Sequence, residues 1–254
     1  MRYVAILLGL LLALPAFGTC SIVQAPASSI SALGTTLNVS VTSVVAGHEL
    51  LAHTAWCDSP STFTASISDG QGSYSVAVGR THEATDGCNF ETFYLENANS
   101  GTHSVTVTFS GSSGSIGLRV FEIGGTATSS TLDQATGIAD AAGPGTGTDN
   151  VSSGASSATT NANDCVLGFT TNLVTQAPGG TLVAGTGYSS FDSDLLFQGE
   201  IKTVSSTGAQ TATFTQSVNY RHGTAVVALK QSTAGAKVQA TKGPLGGPTK
   251  GPAL

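Results

Sequence analysis

The residues best suited to chemistry in this chain are few and scattered. The loop "THEATDGC" (81–88) gathers His82, Glu83 and Asp86 beside Cys88. A base, two acids and a thiol in one loop would suit acid/base or metal chemistry, and a solvated polar loop has the same composition. Glu91, Glu96, Glu122, Asp192, Asp194 and Glu200 offer carboxylates for a glycosidase pair, whose spacing in space rather than in sequence decides its competence. "FDSD" (191–194) and "DGQG" (69–72) offer oxygens to calcium, an ion that takes six to eight. His48 and His53 lie five apart, which places them on opposite faces of a strand and prevents a shared metal without a bulge. Glu122 and Arg119, three apart on one strand, read as rim or surface charges. There is no G-x-S-x-G elbow, no CxxC and no HxxxH, so no residue is assigned a catalytic role.

Binding residues are easier to nominate. Sugar-binding sandwiches stack aromatic side chains on pyranose faces, and Trp56, Tyr188, Phe191 and Tyr220 are the candidates. With neighbouring carboxylates they give a ligand site of Trp56, Asp58, Tyr188, Asp192 and Asp194. Behind the first residues stand four cysteines, Cys20, Cys57, Cys88 and Cys165, which allow three pairings in an oxidising compartment. Cys57 ends one strand and Cys88 precedes another, so these two form the favoured bridge, with Cys165 as a core thiol.

The elements that must position these residues are strands. β-branched residues and glycine turns dominate, with no helical period. Strands are predicted at 36–42, 48–56, 63–69, 74–79, 90–97, 103–109 and 116–123, with "SDGQGSY" as a glycine-rich hairpin. The second half echoes the first. "NVSVTSVVAGHELLAHTA" (38–55) lies over "SGASSATTNANDCVLGFTT" (153–171), matching Glu49 to Asp164, while "NSGTHSVTVTF" (99–109) matches "VSSTGAQTATF" (204–214) and "LRVFEI" (118–123) matches "AVVALK" (225–230). Three matches in the same order imply two pseudo-repeated halves, about 28–123 and 124–230. The expected fold is all-β: a two-sheet antiparallel sandwich of ten to twelve strands, jelly roll or Greek key, in one domain over 19–230.

The ends carry the remaining information. "MRYVAILLGLLLALPAFG" (1–18) has the short apolar run and small-residue exit of a secretory signal peptide. Cleavage after Gly18 leaves Cys20 near the new N-terminus, and a lipid anchor on that cysteine is the alternative to free secretion. Residues 231–254 are a Gly, Pro and Lys-rich flexible tail. The net charge is −6, and between Thr19 and Ile201 the only basic side chains besides histidine are Arg80 and Arg119. No basic patch exists to displace counterions, which excludes nucleic acid as a partner.

The strand and turn signatures "GHELL" (47–51), "SISDGQGSY" (66–74), "THSVTVTF" (102–109), "LRVFEIGG" (118–125), "ANDCVLGF" (162–169) and "VVALK" (226–230) resemble those of a family of exported bacterial β-sandwich proteins of unknown function. The resemblance spans nearly all of 40–230 and implies the fold without implying an activity. The cysteine-bearing "WCDSPSTF" and "EATDGCNF" depart from its pattern. The functional expectation is a non-catalytic exported module that binds glycans or another cell-surface component and needs no cofactor, calcium excepted. The alternatives are a self-associating subunit of an extracellular assembly and a jelly-roll glycoside hydrolase or lyase. Contact with a membrane is expected only through a lipidated Cys20.

Overall fold

The computed structural model describes residues 19–57, 62–85, 87–140, 149–172, 181–193, 197–217 and 221–233. Residues 1–18, read as a leader, and 234–254 of the expected tail lie outside the described residues, whereas Gln231, counted with that tail, is buried and its amide donates to the Asn163 carbonyl at 3.1 Å.

Sixteen strands occur among the described residues. The first eight are β1 (Ser21–Ser31), β2 (Gly34–Val44), β3 (Glu49–Cys57), β4 (Ala65–Ser68), β5 (Ser75–Glu83), β6 (Cys88–Leu95), β7 (Gly101–Ser113) and β8 (Ser115–Gly124). The second eight are β9 (Leu132–Asp140), β10 (Asp149–Ser152), β11 (Asp164–Asn172), β12 (Leu182–Ala184), β13 (Ser189–Ser193), β14 (Phe197–Val204), β15 (Thr213–Gln216) and β16 (His222–Lys230). The first set builds a five-stranded sheet ordered β1-β8-β3-β6-β5 and a three-stranded sheet β2-β7-β4. The second set builds β9-β16-β11-β14-β13 and β10-β15-β12, the same orders with every number raised by eight. All pairs are antiparallel and nested: β1 with β8, β2 with β7, β3 with β6, then β9 with β16, β10 with β15, β11 with β14. Nesting of this kind is the jelly roll.

The all-β antiparallel sandwich is therefore the architecture found, with four sheets where two were expected. The pattern of the strands explains the layering. In β2 and β7 apolar residues alternate with polar ones, so Leu37, Val39, Val41, Val105, Val107 and Phe109 point inward and the residues between them point to solvent. In β3 and β11 all nine residues are buried, because these strands are covered on both faces. One core fills the space between β2-β7-β4 and the first five-stranded sheet, with Trp56 and Phe109 at 5.2 Å between ring centroids. A second lies between the two five-stranded sheets and joins the halves through Phe90, Phe121, Phe169 and Phe197. A third, around Val166, Phe214 and Val226, seats β10-β15-β12 on the second five-stranded sheet.

Polar groups and disulfides reinforce the central contact. Arg119 of β8 meets Asp192 of β13 at 3.4 Å, and Arg221, just before β16, meets Glu83 of β5 at 3.8 Å, each pair crossing between halves. His53 sits among Phe90, Phe169 and Phe197, its ring nitrogens within 2.9 Å of the Thr92 hydroxyl and 2.7 Å of the Thr171 hydroxyl. Burial, aided by the Arg119 charge, pulls its basicity down to about 3, so it is a neutral hydrogen-bonding bridge between the halves. Cys57 and Cys88 are bonded, across directly opposed positions of β3 and β6. Cys165 corrects its reading as a core thiol, for it is bonded to Cys20 across 145 positions of sequence. That bond occupies the sulfur a lipid thioether would need, so disulfide and lipid anchor exclude each other. Gly125 admits the segment before β1 here: with φ of +83°, it leaves room for the Thr19 carbonyl, which a side chain would strike.

Arg119 and Glu122 differ most from their expected place. Arg119 is 5 % exposed and Glu122 is fully buried, because β8 belongs to a sheet sandwiched on both sides and has no rim. Glu122 accepts from the Val45 amide at 2.9 Å, from Gln24, and faces the His48 ring nitrogen at 2.7 Å. Burial works to raise its pKa, and these three partners outweigh that and hold it below the usual carboxylate range.

Candidate functional site

The aromatic platform nominated from the sequence is not assembled. Trp56 is fully buried in the first core and presents no face to a sugar. Tyr188 lies in the third core's shell, on the far side of both five-stranded sheets. Its ring is covered by the Lys202 ammonium at 4.3 Å and its hydroxyl donates to the Thr211 carbonyl at 2.8 Å. Asp192 is held by Arg119, and Phe191 packs on Phe121 at 5.2 Å. Asp58, Asp194, Tyr220 and Asp86 lie outside the described residues.

The catalytic and metal candidates disperse in the same way. His82 pairs with Asn89 at 3.0 Å, while Glu83 is buried and accepts from the Thr85 amide at 2.7 Å. Asp69 receives the Gln71 amide at 3.0 Å on one oxygen and His103 at 2.5 Å on the other, which leaves neither free for calcium. Among the described residues no group of three or more His, Cys, Asp or Glu is placed to hold a metal. Glu91 and Glu200 are enclosed in different layers. Glu91 of β6 accepts a backbone bond from Ala65 of the first three-stranded sheet. Glu200 of β14 accepts from Gly185 at 2.7 Å and Thr213 at 3.1 Å beside the second, in space left by Gly168, whose absent side chain would collide with it. Burial pushes both up to about 7. The described residues include a concavity of about 30 Å³ beside Trp56 and Cys57 and a cleft of about 460 Å³ between Ala127–Ser129 and Lys230–Thr233. Neither is lined by a carboxylate.

What the fold does present is an uncharged, polar sheet face. The outer side of β2-β7-β4 sets Thr36, Thr108 and Ser66 in one row, Asn38, Thr106 and Ser68 in the next, and Ser40 with Ser104 in a third. Thr106 is half-buried and the others are exposed. Neighbouring strands stand about 4.8 Å apart and alternate residues along a strand roughly 6.8 Å apart, so the hydroxyls form a regular grid. The three strands contain no Asp, Glu, Lys or Arg, and their one histidine, His103, is buried. Asn38 sits at the centre, its amide donating to Ser104 at 3.0 Å and Thr106 at 2.7 Å. The second three-stranded sheet repeats the chemistry on a smaller scale with exposed Asn150, Ser152, Thr213 and Thr215. Period-two alternation of Ser and Thr with Val in "NVSVT" and "SVTVTF" is the signal that could have located this face. The aromatic criterion passed over it. The chain matches no protein-family model, no curated protein and no solved structure.

Proposed function

We propose that the protein is an exported, non-catalytic β-sandwich that binds a neutral glycan surface through the outer face of β2-β7-β4. The observation that carries this reading is the uncharged grid of Thr36, Asn38, Ser40, Ser104, Thr106 and Thr108. Hydroxyl and amide groups exchange hydrogen bonds with sugar hydroxyls, each worth about 1 kcal/mol net, so affinity comes from many contacts on one face. A grid of this kind suits an extended polysaccharide better than a single sugar, which a pocket would enclose. A chain of net charge −6 is repelled by anionic surfaces, and an uncharged contact face fits a neutral one. The two disulfides fit an oxidising, extracellular setting. The reading requires no cofactor, and calcium has no role in it.

Co-sedimentation of the purified mature chain with insoluble neutral polysaccharides tests the proposal. A Ser104→Glu/Thr106→Glu double variant introduces two charges that binding would desolvate without partners, and its affinity is expected to fall by about tenfold or more, or about 1.4 kcal/mol. Trp56→Phe is expected to leave binding unchanged. Binding by the glutamate variant equal to that of the parent would remove this face from the function.

A further inference from the structure

We propose that one flank of the molecule, centred on the edge of β1, is a surface through which two copies of the chain associate. β1 ends the first five-stranded sheet, with β8 on one side and, among the described residues, no strand bonded on the other. It touches β2, an edge of the first three-stranded sheet, and β13, an edge of the second five-stranded sheet, which in turn touches β12. Four sheet edges thus line one flank. From Thr19 to Gly47 the chain has no Asp, Glu, Lys or Arg, and Thr181–Phe191 has none either. The carboxylates that meet these segments are internally paired: Glu122 is buried and accepts from Gln24 and the Val45 amide, and Asp192 faces Arg119 at 3.4 Å. Val23, Ile30, Leu33, Val45 and Val183 are exposed on these segments at 42–68 %, with Leu33 the most open.

The equivalent strand of the second half makes the contrast. β9, which holds the place of β1, carries Asp133, whereas β1 carries no charged residue. Edge strands are normally guarded by charge, and in this molecule one edge of a shared topology is guarded while its counterpart is not. β1 does carry other guards over its first half: Pro26 and register shifts between Ile22 and Ala27. From Ala27 to Ser31 the pairing with β8 is regular, which leaves five residues with an open, uncharged edge. The occupant is a second copy. Two molecules of net charge −6 repel, and they approach at least cost where neither presents a carboxylate. Antiparallel pairing of Ala27–Ser31 with the same segment of the partner about a two-fold axis would join the two five-stranded sheets edge to edge and place Ile30 and Leu33 at the contact.

Sedimentation equilibrium of the mature, disulfide-intact protein across micromolar to millimolar concentration tests this, with Ile30→Lys, Leu33→Lys and, on the opposite flank, Val76→Lys as variants whose folding is checked by circular dichroism. The expected result is twice the monomer mass for the parent and for Val76→Lys, with at least a tenfold weaker dimer for either β1-flank variant. A strictly monomeric parent overturns the proposal. So does equal weakening by all three lysines, since that would report charge on the molecule in general, and so does a ladder of species beyond the dimer, which a closed two-fold contact does not produce.

Discussion

Four carboxyl groups hold protons for reasons written in their surroundings. Glu49 opens β3 near Glu96, the residue after β6, and burial together with the Glu96 charge outweighs the Thr131 hydroxyl and raises it well above the glutamate range. Asp164 opens β11 in the corresponding place; burial raises it to about 6, Asn161 donates to it at 3.1 Å, and the neighbouring Asp133 adds to the rise. Glu91 and Glu200 are raised to about 7 by burial. In each case the folded chain holds a proton that the unfolded chain has released above about pH 4.5, so stability is greatest in mild acid and falls as pH rises through 5 to 7. Glu122 and Asp133 act in the opposite sense, because their folded acidities are strengthened and their contribution is lost at lower pH. Thermal melts are therefore expected to give a higher midpoint near pH 5 than near pH 8. Glu91→Gln and Glu200→Gln each imitate the protonated state, and each should recover about 2–3 kcal/mol at pH 8 while changing little at pH 5. Identical pH profiles for parent and variants would show that neither group carries the linkage.

The strands divide into two kinds, and the division builds the four layers. Alternating β2 and β7 lie outside, while β3, β8, β11 and β16, buried nearly throughout, lie inside with both faces covered. Trp56 belongs to an inner strand, so Trp56→Ala is expected to cost about 3–5 kcal/mol of stability, read from denaturant unfolding. The Cys20–Cys165 bond ties β1 to β11 across 145 positions, and a Cys20→Ser/Cys165→Ser variant should lose about 4–5 kcal/mol in the chain-entropy model, more than removal of the shorter Cys57–Cys88 loop. All seven strands predicted for the first half are present, as is the Cys57–Cys88 bond, because alternation and local loop chemistry record them. The layer count was missed, because β3 and β11 bury Glu49, His53, Thr54, Asp164 and Thr170 among their apolar residues, and those polar positions read as a wet face that the structure does not have. β1 was overlooked for the opposite reason: an edge strand of Ser, Ala and Pro has no buried face to write a period. The Cys20 partner was hidden because a contact spanning both halves leaves no local trace.

At the scale of the molecule, two jelly rolls meet by their five-stranded sheets and turn their three-stranded sheets outward, so the exposed faces are made of serine, threonine and asparagine. Residues that looked chemical in the sequence, His53, Glu83, Arg119 and Asp192 among them, are spent on holding the halves together. Pairing two copies by the β1 flank would present two uncharged faces to one surface, and a second attachment made within the same assembly strengthens binding without any new contact. A dimer-blocking Ile30→Lys variant is then expected to retain the intrinsic affinity for a soluble oligosaccharide and to bind an insoluble one more weakly. The central claim is that the β2-β7-β4 face is what meets the ligand. Co-sedimentation with an insoluble neutral polysaccharide, comparing the parent with Ser104→Glu/Thr106→Glu at equal folded concentration, tests it most directly. The account predicts retention of the parent in the pellet and loss of at least about nine-tenths of that affinity in the variant. Equal retention of both, or of neither, would contradict it.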